Sequence, residues 1–183
     1  MHKLFKVLTS FLFLLIITFT NAQEIEHEEG EEKLEKKHSI AILISHTQIA
    51  ETVEGERKKN ISVPSWGIDY NFEISERWAI GLHNDIIIES FIIENNEGIE
   101  IERSSPFATA VVGMFKPIKN FSLVLGAGGE FSKEENLFLI KAGVEYSHLI
   151  LQDNWEIIAS FSNDIKIDAY NSWSLGFGIG RKF

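Results

Sequence analysis

Residues 173–183 read WSLGFGIGRKF, and the way this stretch distributes its side chains decides the fold. In an extended strand successive side chains point to opposite faces. One face then carries Trp173, Leu175, Phe177, Ile179, Arg181 and Phe183, and the other carries Ser174, Gly176, Gly178, Gly180 and Lys182. Residues 121–131 repeat the contrast, with Phe121, Leu123, Leu125, Ala127 and Phe131 opposite Ser122, Val124, Gly126, Gly128 and Glu130. Residues 155–167 do so again, setting Trp155, Ile157, Ala159, Phe161, Ile165 and Ile167 against Glu156, Ile158, Ser160, Ser162, Asp164 and Lys166.

Eight runs rich in Ile, Val, Phe, Trp and Tyr are expected as strands: Ser39–Ala50, Ser62–Ile74, Trp78–Glu94, Phe107–Pro117, Phe121–Ser132, Leu137–Ile150, Trp155–Ile167 and Trp173–Phe183. No segment sustains a helical apolar period. Evenly spaced strands of this number indicate an up-and-down barrel or a sandwich. The connections alternate in length. Long ones are expected at Glu51–Ile61 and Asn95–Pro106, with shorter ones at Lys133–Asn136 and Asp168–Ser172 on the same end of the array. The opposite end has only tight turns, at Ser75–Arg77, Ile118–Asn120 and about Leu151–Asn154.

Before the first strand the chain has two other parts. His2, Lys3 and Lys6 precede an uncharged run from Val7 to Phe19, and Ala22 stands where a signal peptidase would cut. Residues 1–22 are therefore expected to be a cleaved secretory signal. Residues 23–38, QEIEHEEGEEKLEKKH, hold 7 carboxylates and 3 lysines with scarcely an apolar side chain, and are expected to be a solvated acidic leader. After cleavage 15 basic residues face 27 acidic ones, a net charge of −12, which excludes nucleic-acid binding. The chain has no cysteine, so neither a disulfide scaffold nor thiolate chemistry is available to it.

Alternation does not say which face is outside; volume does. A barrel of eight strands has an interior only just wide enough for its own side chains. Glycine and serine fit there among a few charged residues, whereas Phe and Trp from every strand would overfill it. The apolar face is therefore expected to point out to lipid, over residues 39–183, in an all-β, eight-stranded, antiparallel, up-and-down transmembrane barrel. Trp66, Trp78, Phe121, Phe138, Tyr146, Trp155, Trp173 and Phe183, near strand ends, are expected to form aromatic girdles at the two membrane interfaces. The first and fourth strands, SIAILISHTQIA and FATAVVGMFKP, are apolar on both faces, and their inward sides stay open at this point.

Over Ser39–Phe183 the chain resembles the small eight-stranded outer-membrane proteins of OmpA and OmpX type. The resemblance rests on strand number, loop asymmetry and a last strand that ends in Phe183 after alternating Leu175, Phe177 and Ile179. Arg181 departs from that apolar pattern, near enough to the interface to snorkel. The resemblance implies the outer membrane of a Gram-negative bacterium, recognition of the last strand by the barrel assembly machinery, and a periplasmic side for both ends of the barrel.

By the same parity the lumen is expected to hold a charge cluster of Asp69, His83, Asp85, Glu130, Lys141, Glu145, Glu156, Asp164, Lys166 and Lys182, together with Asn71, Glu73 and Glu89. Strand register suggests that Lys141 is clamped between Glu130 and Asp164. His83 and Asp85 share a face and could serve as base and orienter, but no serine is placed as their nucleophile. The adjacent pairs Ser45-His46 and Ser147-His148 point to opposite faces. No enzyme or cofactor is therefore expected, and no metal: the inward carboxylates are read as a plug paired to Lys141, Lys166, Lys182 and His83, in preference to a cation path or metal site, because eight strands leave little water-filled section. The leading expectation is a non-enzymatic barrel with a structural or surface-interaction role. Its partners would be outer-membrane lipid and an extracellular protein reached through Glu51–Ile61 and Asn95–Pro106. Trp78–Glu94, longer than a membrane-crossing strand, would project outward as an edge for strand addition. Arg57–Lys59 and Arg103 would be exposed outside, and Arg77 and Lys119 on the periplasmic side. Gly178→Ser is expected to be mild and Phe177→Lys severe. The alternatives are a narrow transport channel and a soluble exported barrel that binds a small ligand.

Overall fold

The computed structural model describes residues 37–54, 57–94, 98–150 and 154–183, and the signal and leader segments lie outside them. Ten strands are present: β1 His38–Glu54, β2 Arg57–Glu73, β3 Trp78–Ile87, β4 Phe91–Glu94, β5 Glu100–Arg103, β6 Phe107–Ile118, β7 Phe121–Phe131, β8 Leu137–Ile150, β9 Trp155–Lys166 and β10 Asn171–Lys182. Eight of them form a closed antiparallel barrel in the order β1-β2-β3-β6-β7-β8-β9-β10, with β10 pairing back onto β1. β4 and β5 make a small hairpin that joins the long outer half of β1 through Thr52 and Ile93.

The ladders fix the geometry of closure. A row begun at Tyr146 passes through Ala159, Phe177, Ile44, Trp66, Ile86, Phe107 and Phe131. It meets β8 again at the level of residue 136, ten residues (146 to 136) from where it started. Eight strands with that stagger tilt by about 40° and enclose a space that side chains fill.

The outward and inward faces follow the parity read from the sequence. Phe177 is 60% exposed and Leu125 65%, while Ser122, Glu130 and Asp164 are buried. The two faces left open at the sequence level are resolved by size. β1 turns Ala41, Leu43, Ser45, Thr47 and Ile49 inward, and β6 turns in Ala108, Ala110, Val112 and Met114. Their larger or branched neighbours Ile40, Ile42, Ile44, Phe107 and Val111 face out. Along the strands, the outward aromatics fall into two groups. Trp78, Phe121, Tyr146, Trp155 and Phe183 come at the end with tight turns; Phe107, Phe131, Phe138 and Trp173 come at the long-loop end, and Trp66 lies somewhat below them. Phe138 and Tyr146, eight residues apart on β8, are separated by about 20 Å along the barrel axis. Arg181 faces outward with its guanidinium 5.6 Å from the Trp155 ring, which explains how a cation is held on an apolar face.

Three expectations about elements are corrected. Trp78–Glu94 is not one strand: β3 ends at Ile87, and the chain bends at Ile88–Ser90 before β4. The bend lets Phe91 and Ile93 turn into a cluster with Ile49, Val63, Ile87, Leu137, Ala169 and Tyr170. Glu51–Ile61 is not a loop, because β1 and β2 continue their pairing out to Glu54 and Arg57. Gly178 is not free to become serine, since a Cβ there would stand 2.8 Å from Leu43 and closer still to the Ile42 carbonyl.

Candidate functional site

The interior and its outer cover are where the chain places its unusual chemistry. At the long-loop end, the cluster around Phe91 and Ile93 lies over the barrel mouth, with Ile61 and Ile101 packed against it. Ile49 and Ile93 are fully buried there. Beneath that cover Arg103, 0% exposed, reaches Glu130: Nη2 donates to Oε1 at 2.5 Å and Nε donates to the same oxygen at 3.1 Å. Nη1 donates to the Glu135 carbonyl at 2.6 Å. The other Glu130 oxygen accepts from the Tyr170 hydroxyl at 2.7 Å and lies 3.5 Å from Lys166 Nζ. Tyr170 sits on the connection between β9 and β10, and burial, then the neighbouring Glu130 charge, pushes its hydroxyl pKa well above the usual value. Lys166 in turn donates to Ser172 Oγ at 2.6 Å and lies 4.8 Å from the Tyr170 ring centre.

A second group lies midway. Lys141 Nζ is 2.8 Å from Asp164 Oδ1 and 2.9 Å from Asp85 Oδ2. Lys141 and Asp164 are directly opposed in the β8–β9 ladder. Beside them the His83 ring pairs through Nε2 with Asn71 Oδ1 at 3.0 Å, and its Nδ1 lies 3.6 Å from Asp69 Oδ2. A third group closes the turn end, where Lys116 and Lys182 both donate to Glu73 Oε1, at 2.7 and 2.8 Å, and Lys182 lies 4.0 Å from Glu156.

Charge balances across these three groups. Two cations with Glu130, one cation with Asp85 and Asp164, and two cations with Glu73 and Glu156 sum to zero. Asp69 and Glu145 are left without a cationic partner within ion-pair distance among the described residues, apart from the neighbouring His83. The groups leave little space. Three cavities of about 30, 20 and 10 Å³ follow one another along the axis, each with room for about one or two waters. No three His, Asp or Glu side chains among the described residues come together as a metal cage.

Asp69, His83, Glu130, Lys141, Glu145, Glu156, Asp164 and Lys166 are buried in the interior, and Asp85 and Lys182 are partly buried there. Four sequence expectations are corrected. Glu130 does not clamp Lys141: it stands opposite Leu137 in the ladder, and Lys141 takes Asp85 instead. It follows that Asp85 is not the orienter of His83, since the carboxylate nearest that ring belongs to Asp69. Arg103 is not an exposed loop residue, and Glu89 is exposed at the rim rather than in the lumen. Arg103 and Tyr170 were missed because they sit outside the eight runs, where parity gives no signal. Lys116 continues the inward parity of Ala108–Met114, but that strand is apolar on both faces, so the sequence alone does not say which side of it is inward.

No protein-family model and no curated protein matches the sequence. Solved structures do. The attachment invasion locus protein Ail of Yersinia pestis, in complex with the heparin analogue sucrose octasulfate, shares 18% identity at a TM-score of 0.54, over 82% of this chain and 100% of that one. The outer membrane protein OprG from Pseudomonas aeruginosa shares 9% identity at a TM-score of 0.51, over 81% of this chain and 97% of that one. The fold is that of the small eight-stranded outer-membrane β-barrels.

Proposed function

We propose that this chain is an outer-membrane barrel closed to solute flow, which serves structurally and through contacts at its long-loop end. The observation that carries this reading is the double seal at that end: an apolar cover over the mouth, and beneath it an arginine–glutamate pair with no exposure. A conduit for solutes would keep water where Ile49, Ile93 and Arg103 are packed. In this reading residues 1–22 are removed as a signal, residues 23–38 and the tight turns face the periplasm, and the long-loop end faces outside. The two aromatic groups are the interfacial girdles, and the last strand ending at Phe183 is what the assembly machinery recognises.

The outer end also bears on the kind of partner. Among the side chains described at that end, Glu89, Glu100, Glu102, Glu134, Glu135 and Asp168 are exposed against Lys59 and Lys133. Such a surface suits a cationic or neutral protein partner and repels a polysulfated ligand of the kind bound by Ail. The location is tested by fluorescence in vesicles whose acyl chains are brominated. All four tryptophans face outward, so bromine should quench most of the emission, and Trp66, furthest from the ends, should be quenched most. A protein that stays with the soluble fraction of cells, or whose tryptophans escape the bromines, would contradict the assignment.

A further inference from the structure

The two carboxylates left over by the interior's charge balance belong to one place. Glu145 is 8% exposed, accepts no hydrogen bond and makes no ion pair among the described residues, yet it lines both the central cavity and the one nearer the turn end. The closest cations on that side, Lys116 and Lys182, direct their ammonium groups to Glu73. Asp69 lines the same central cavity from β2. It is only partly satisfied, by the Asn84 backbone N–H at 3.3 Å and by the more distant His83 ring. A carboxylate that meets only a cavity with room for a water or two is costly to keep charged unless something compensates it.

Oxygen donors complete the surroundings. Ser160 stands directly opposite Glu145 in the β8–β9 ladder, and Ser45 reaches in from β1. Both hydroxyl oxygens stand over Gly176, each 2.6 Å from where a side chain would begin, so glycine at that position is what makes room for them. The walls near this point offer carboxylate and hydroxyl oxygens, while Lys141, which lines the same cavity four residues along β8 from Glu145, is already engaged by Asp85 and Asp164. The His83 ring is committed to Asn71 through Nε2.

We propose that Asp69 and Glu145, with the hydroxyls of Ser45 and Ser160, hold one hard divalent cation of calcium type in the centre of the barrel. Oxygen-only donors select such an ion over a softer metal, and calcium tolerates an irregular shell completed by water, whereas magnesium demands a regular one. A single double charge also removes the deficit of two negative charges that the interior ion pairs leave.

The test uses the full-length protein refolded in detergent micelles with and without calcium chloride. Bound calcium is measured by equilibrium dialysis, and stability by the temperature at which the folded gel band is lost. One calcium per chain and an upward shift of that temperature are expected for the native sequence. Glu145→Gln keeps the shape and removes the charge, so it should still fold; Asp69→Asn is the second variant in case it does not. Each should weaken calcium binding by at least about tenfold and abolish the calcium-dependent shift. Failure of the native protein to bind calcium overturns the proposal, and if Glu145→Gln then leaves stability unchanged, the carboxyl carries a proton instead. Equal binding by native protein and both variants also overturns it, because the ion would then sit on the exposed outer carboxylates or on the glutamates of residues 23–38. Neither result depends on where the barrel resides or what its loops contact.

Discussion

At the scale of single residues, the interior is a set of choices about which charges are left together. Lys141 carries the most, since it is held between Asp85 and Asp164, of which Asp164 also has Lys166 at 3.8 Å. An ion pair in such a place gains little over an apolar substitute, but removal of one partner strands the other and can cost about 3–5 kcal/mol. Lys141→Ala should therefore lower stability by about that amount, and Lys141→Ala combined with Asp85→Asn and Asp164→Asn should recover a large part of it. Denaturant titrations of the single, double and triple variants in micelles give the coupling. Additive losses would mean that water, rather than Lys141, solvates the two aspartates. Parity made most of this set visible in the sequence, because Asp69, His83, Glu145 and Asp164 lie in runs whose other members alternate cleanly. Pairing was less visible: whether Lys141 meets Glu130 or Asp85 depends on the exact loop length between β7 and β8 and on contacts across the barrel, neither of which alternation encodes.

The β4–β5 hairpin is the element on which the closed reading depends. Its apolar side buries Phe91 and Ile93, and its last residue is Arg103. Nothing in the pattern of residues 78–94 announces the bend, because the inward parity of Ile87 runs on in phase through Phe91 and Ile93. A straight strand and a strand folded over the mouth look identical to a period of two; what separates them is the tertiary gain of covering Ile49, Val63 and Leu137. Truncating a fully buried isoleucine costs about 2–5 kcal/mol, and here that loss falls on the cover and not on the barrel ladder. Ile93→Ala should leave the heat-modifiable barrel intact while exposing Arg103 to trypsin added to intact cells. In the native protein trypsin should reach Lys133, exposed between β7 and β8, and spare Arg103. Cutting of the native chain at Arg103 would show that the cover opens readily.

For the whole molecule, stagger, face assignment and charge agree. A stagger of ten residues over eight strands leaves a bore that Ser and Gly can line, and the charged side chains then fill it. This architecture was legible from WSLGFGIGRKF and its counterparts because volume, and not hydrophobicity alone, decides which face can be inside. The cover was not legible, and it is what separates a sealed barrel from a conduit. A sealed barrel passes no ions, so the readout is electrical. Protein refolded into vesicles is fused with a planar bilayer, and its folded state is verified by the folded gel band of protein recovered from the same vesicles. The current should stay at the baseline of the bare bilayer at all moderate voltages; steady, reproducible unitary steps from the native protein would contradict the account.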